Sequence, residues 1–145
     1  MAKHHFKSPS VLLDELGINT PEQINLELIA QYCGATVLYE SLNSCEAYLL
    51  GKAERAVICI NQDAPRSRQR FSIGHELGHW MHDRGKMASL YLSEVHVEEW
   101  SKAAIEKRAN QYAKELLMPT EIFSPLAQRR DMTFATVKDL ARIFE

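Results

Sequence analysis

Three of the six histidines of this 145-residue chain stand in one stretch, RFSIGHELGHWMHD, from Arg70 to Asp83. Within it His75, Glu76 and His79 form H-E-x-x-H. On a helix, histidines four apart stack on one face about one turn apart, so both imidazoles can reach one ion, and neutral imidazole is a good zinc ligand. Glu76 lies about 100° round the axis, too far to share that coordination but able to reach a water on the same ion. Zinc lowers the pKa of such a water to about 7, and the carboxylate can take its proton as the water attacks a carbonyl. The competing reading is a structural helix that happens to carry imidazoles. Gly74 and Gly78 weigh against it, because each costs about 1 kcal/mol relative to alanine inside a helix and a plain structural helix gains nothing from them. Small residues there let another element, or a substrate backbone, approach closely.

A catalytic zinc needs a third protein ligand, with the fourth position left for water. The metzincin continuation is absent: Gly85 stands where its third histidine belongs, and His82 where its glycine belongs. His82 shares the face of His75 and His79, but three ligands along one straight helix cannot converge on a tetrahedral ion. A structural or supporting role is expected for it. The third ligand is then expected from the next helix, where Glu94, Glu98, Glu99, Glu106 and Glu115 are candidates. Glu94, Glu98 and Glu99 lie in or beside an irregular stretch and read as a solvated acidic surface. Glu106 begins a stripe with Asn110, Ala113 and Leu117, which grades from polar to apolar as a helix facing the first one would. Its competing reading is a surface ion pair with Lys102. A developing oxyanion needs a further donor, for which Tyr91, His96, His82 and Tyr112 are candidates that the sequence does not rank. Arg70 reads as a structural anchor.

These residues need elements to position them. TPEQINLELIAQYCG, Thr20 to Gly34, reads as one helix with Thr20 as N-cap, Pro21 in the first turn, Gln23 placed for a capping box and Gly34 as the stop. Its expected buried face is Ile24, Leu28, Ile29 and Tyr32. Ser10 to Leu16 precedes it as a short helix ended by Gly17. Three runs rich in β-formers follow, Ala35 to Glu40, Ala47 to Gly51 and Arg55 to Asn61, the last two joined closely enough for a hairpin. Their proximity suggests a small antiparallel sheet. Helical period returns from about Arg66 to His82, with Phe71, Ile73, Leu77, Trp80 and Met81 as its apolar residues. An irregular stretch, Lys86 to Trp100, leads to a helix from about Ser101 to Met118, which Pro119 ends. Short helices follow Thr120 and Thr133. The last segment is still in helical phase at Glu145, as in a chain cut short of its natural C-terminus. No repeat, low-complexity tract or linker divides residues 1–145, so one domain is expected.

The composition excludes several classes of function. With 17 basic and 19 acidic residues, nothing suggests bulk electrostatic attraction to nucleic acid or anionic lipid. The Arg129-Arg130 pair and TFATVKDLARIFE offer no clear recognition helix, so direct DNA binding is not expected. Cys33, Cys45 and Cys59 are odd in number, far apart and without a C-x-x-C pair, which reads as reduced residues of a cytoplasmic protein. The N-terminus lacks the apolar core of a signal peptide, and no apolar run approaches the length of a membrane span.

RQRFSIGHELGHWMHD followed by IEKRANQYAKELLMP resembles the ImmA/IrrE family of zinc metallopeptidases, whose members carry R-F-x-x-x-H-E-x-x-H and then E-x-x-A-N-x-F-A-x-E-L-L-M-P. The second motif runs here from Glu106 to Pro119, with Tyr112 where phenylalanine is usual. The resemblance implies zinc ligands at His75, His79 and Glu106, one Zn2+ per chain, and a general base at Glu76. It also implies an endopeptidase that cleaves a helix-turn-helix transcriptional repressor, switching on mobile-element or stress-response genes. Some family members stand beside repressor-like antitoxins, so the alternative is a zinc-stabilised module that binds such a partner without cutting it. His82, Tyr91, His96, Asn110 and Tyr112 are left as residues that support the ligands or stabilise the oxyanion. The expected fold class is α+β: a mainly helical, zincin-like domain with a small three-stranded antiparallel sheet and the H-E-x-x-H helix.

Overall fold

The computed structural model describes residues 6–83, 102–128 and 133–144. The irregular stretch with Tyr91, Glu94, His96, Glu98 and Glu99, and the Arg129-Arg130 pair, lie outside the described residues. The architecture is α+β and mainly helical, with one three-stranded sheet among the described residues.

Helix α1, Pro9–Glu15, starts where the Ser8 hydroxyl accepts from the Val11 backbone N–H and stops at Gly17, which takes the left-handed conformation (φ 67°). The next expected helix is divided. Pro21–Gln23 forms a single 3-10 turn, closed by the Gln23 side-chain oxygen, which accepts from the backbone N–H groups of Asn19 (2.7 Å) and Thr20 (3.2 Å). Ile24 is then extended, and α2, Leu26–Tyr32, begins from a second cap in which Asn25 Oδ1 accepts from Leu28 N–H at 3.1 Å. Restarting two residues later rotates the face. Leu26, Ile29 and Ala30 are buried, while Leu28 and Tyr32, expected inside, are 61% and 48% exposed.

The strands are β1 (Ala35–Glu40), β2 (Ala47–Lys52) and β3 (Arg55–Asn61). The sheet is mixed, which corrects the antiparallel expectation: the order is β1-β3-β2, with β3 parallel to β1 and antiparallel to β2. A two-residue loop, Ala53-Glu54, makes β2 and β3 a tight hairpin, with Ala53 at φ 55°. Residues 41–46 carry the chain past the place of β3, about 10 Å or two strand spacings, so β3 fills the gap and runs alongside β1. Gly34 (φ 85°) is required twice over, because a Cβ on it would stand 2.6 Å from the Glu54 carbonyl oxygen.

Val37, Ile58 and Leu49 lie in register across one face, on which the core gathers. Helix α3, Arg66–Asp83, packs against β2, β3 and α2, adding Ile73, Leu77 and Trp80 to Leu12, Leu26, Ile29, Ile58 and Ile60. The Trp80 indole N–H donates to the Cys33 carbonyl at 2.8 Å, satisfying both polar groups in the core. Helix α4, Lys102–Leu117, lies along α3; α5 (Thr120–Gln128) and α6 (Phe134–Ile143) follow, α6 capped by Thr133. Cys33 and Cys59 are buried, Cys45 is exposed, and no disulfide joins them. No helix among the described residues is long and apolar enough to cross a membrane.

Candidate metal centre

Helices α3 and α4 meet through small residues. A Cβ on Gly74 would stand 3.1 Å from both Cα and Cβ of Ala113, and one on Gly78 would stand 2.9 Å from Tyr112 Cβ and 3.1 Å from Ala109 Cα. Rising numbers on α3 meet falling numbers on α4, so the helices are antiparallel and nearly in backbone contact. That approach lets the short Glu106 side chain reach the histidines of the facing helix.

The result is a cluster of three donors, from His75, His79 and Glu106, whose ligand atoms all lie within 4.8 Å of one another. His75 Nε2 is 2.9 Å from Glu106 Oε2, His79 Nε2 is 3.2 Å from Glu106 Oε1, and the two Nε2 atoms are 3.1 Å apart. Tetrahedral zinc with bonds near 2.0–2.1 Å requires donors about 3.3 Å apart, so the spacing and chemistry of this set fit that ion. The imidazoles are 16% exposed and the carboxylate 45%, so the cluster opens to solvent on one side. Three protein donors with an open side is the catalytic pattern rather than the closed structural one.

His75 Nδ1–H donates to Asn110 Oδ1 at 2.8 Å. This bond sets the tautomer, leaving the Nε2 lone pair turned toward the other two donors. Glu76 lies beside the cluster, half-buried. Burial pushes its carboxyl above the usual carboxylate range; His79 and His75 pull the other way, and Glu106 adds to the rise. A cation on the three donors would favour its ionised, base-competent form.

The remaining predicted residues are placed differently. The His82 ring packs between Phe6 (centroids 4.7 Å) and Tyr112 (5.9 Å), in an aromatic cluster that ties the N-terminal segment to α3 and α4. Tyr112 is 2% exposed and its hydroxyl donates to the Lys7 carbonyl at 2.7 Å, which engages the phenol with that segment. Glu115 is exposed and accepts from Gln111 at 3.0 Å, on the outer side of α4. Arg70 is partly buried beside Arg66, and its Nε makes no hydrogen bond. Phe71, one of the apolar residues of this helix, is 37% exposed and stacks on His75, with centroids 6.2 Å apart. Its position four residues before His75 was the available signal, since that spacing places it on the ligand face.

An α+β fold with H-E-x-x-H on one helix and a glutamate reaching in from the next is the arrangement of the metallopeptidase class. The chain belongs to the IrrE N-terminal-like domain family, peptidase family M78, whose model matches residues 30–145 and so takes in both motifs. Among solved structures it is similar to a Mycobacterium tuberculosis transcriptional regulator, with a TM-score of 0.62 at 17% identity over 94% of this chain and 41% of that one. The likeness is one of fold, and this chain spans less than half the length of that protein. No curated protein matches the chain.

Proposed function

We propose that this chain is a zinc-dependent endopeptidase of the cytoplasm, with His75, His79 and Glu106 as the metal ligands and Glu76 as the general base. The observation that carries the reading is the convergence of three donors from two helices within 4.8 Å. Zinc held there would supply Lewis-acid polarisation of the scissile carbonyl and an acidified water. The Glu76 carboxylate accepts the proton of the attacking water and returns it to the departing amine, the two halves of one general acid-base cycle. Asn110 holds His75 in the metal-binding tautomer, and the Gly78 contact keeps α4 close enough for Glu106 to complete the set.

The proposed substrate is a helix-turn-helix transcriptional repressor, cut to release mobile-element or stress-response genes. Family membership and the resemblance of the two motifs support this substrate. The test is to purify the chain, load it with zinc, and incubate it with a helix-turn-helix repressor encoded beside it, with and without chelator. Zinc-dependent cleavage that Glu76→Gln abolishes is the expected result. Regulation of the repressor that survives Glu76→Gln would identify instead a zinc-stabilised module that sequesters its partner without cutting it.

A further inference from the structure

We infer that Phe71 forms the wall of an apolar subsite beside the metal centre, and that the segment bound there presents a large aliphatic or aromatic side chain next to the scissile bond. The inference rests on the reading of His75, His79 and Glu106 as a zinc centre and adds the side-chain class that the centre receives.

Other aromatic residues of these two helices are inside the protein: Trp80 is 1% exposed and Tyr112 2%. Phe71 has more than a third of its surface in water and stands where the exposed start of α3, residues 66–68, gives way to the buried part that begins at Ser72. It lies one turn before His75, about 40° round the axis, so it continues the ligand stripe toward the N-terminus of α3. Its ring stacks on the His75 ring, with centroids 6.2 Å apart and planes inclined by 29°. The partly exposed ring therefore stands beside the donor cluster, in which the two imidazoles and the Glu106 carboxylate also reach solvent. The other groups described at the centre are polar or charged: His75, Glu76, His79, Glu106 and Asn110. A binding site of this kind orients its ligand through a few polar groups and gains its affinity from apolar surface, which Phe71 supplies. A side chain laid against it removes apolar area from water on both partners, whereas a polar side chain of the same shape loses hydration without gaining a hydrogen bond.

The experiment uses the zinc-loaded chain and two peptide hydroxamates that differ at one side chain, isobutyl in one and the similarly shaped carbamoylmethyl in the other. The hydroxamate binds the metal in both, so the ratio of the two affinities, measured by calorimetry, isolates the neighbouring subsite. A preference for isobutyl of roughly ten- to a hundredfold is expected for the wild type. Phe71→Ala brings the ratio toward one, Phe71→Leu restores most of the preference, and Leu50→Ala, which removes another exposed apolar residue on β2, leaves it intact. A wild-type ratio near one, or a preference that survives Phe71→Ala, overturns the subsite. Failure of the chain to take up zinc overturns the metal centre and the subsite with it, whereas normal zinc uptake without side-chain preference overturns the subsite alone.

Discussion

Gly78 of α3 lies against Ala109 of α4 so closely that a Cβ added to the glycine would stand 3.1 Å from the alanine Cα and 3.2 Å from its carbonyl oxygen. These are backbone atoms, which no side-chain rotation can move aside. Gly78→Ala would gain about 1 kcal/mol of helix propensity. Overpacking at such a contact costs roughly 1–3 kcal/mol, so a net loss of about 1 kcal/mol is expected in urea unfolding of the metal-free protein. Because separating the helices withdraws Glu106, zinc affinity should fall as well. A Gly78→Ala variant as stable and as tight for zinc as the wild type would refute the close approach as the device that completes the centre.

Glu106 and Asn110 should differ in degree. Asn110→Ala leaves the donors in place and removes the bond that orients His75, so zinc affinity should fall by roughly ten- to a hundredfold, as for other residues that hold a ligand from behind. Glu106→Ala removes a donor outright and should cost more. Competitive zinc titration against a chromophoric chelator would measure both. Equal affinities for wild type and Glu106→Ala would eliminate the ligand assignment.

Glu76→Gln should separate binding from chemistry. The amide is nearly isosteric and Glu76 is not among the three clustered donors, so zinc stoichiometry and thermal stability of the loaded protein should stay close to wild type. Cleavage of the proposed repressor substrate should fall by roughly 10²- to 10⁴-fold, the usual contribution of a positioned base. Retained turnover would mean that another group takes the proton.

Glu27 should contribute an acid-sensitive part of the stability. Burial alone would raise its carboxyl, but the Tyr39 hydroxyl, which donates to it, and the Arg66 guanidinium at 3.0 Å hold it below its ordinary value of 4.5. A carboxyl lowered in the folded state stabilises fully above its unfolded value, and that stability is lost as pH falls through the folded one. The difference in urea midpoint between wild type and Glu27→Gln should therefore be present near pH 7 and shrink toward pH 3. Because the pair is largely exposed, the difference should be modest and should weaken in high salt. A difference that grows on acidification would reverse the sign of the argument.

The elements that close on themselves were legible in the sequence. Gly17 and Pro119 end helices through steric limits that involve only neighbouring residues, and the bounds of β1, β3 and α3 follow from runs of residue types, whereas the Ser8 cap that starts α1 two residues before Ser10 was not read. The same reasoning misplaced α2. Thr20 and Asn25 both have cap chemistry, and the choice went to Asn25 because Gln23 closed a separate turn and Ile24 was drawn into the core. Strand direction was not legible either. The hairpin joining β2 to β3 is a local device, but the entry of β3 between its neighbours depends on what lies across the sheet.

The candidate site divides along the same line. His75, Glu76 and His79 lie within five residues of one helix, so their mutual placement follows from helix geometry and could be read from spacing alone. The stripe from Glu106 to Leu117 could be read as a face turned toward a partner helix. Only the tertiary structure decided how near that partner comes, because the distance is set by the contact of Gly74 and Gly78 with Ala109, Tyr112 and Ala113 on a segment more than 25 residues away. The same packing put Asn110 behind His75 and left Phe71 in solvent beside it. Periodicity records which face of a helix is apolar, but it cannot record which atoms of another helix will meet that face.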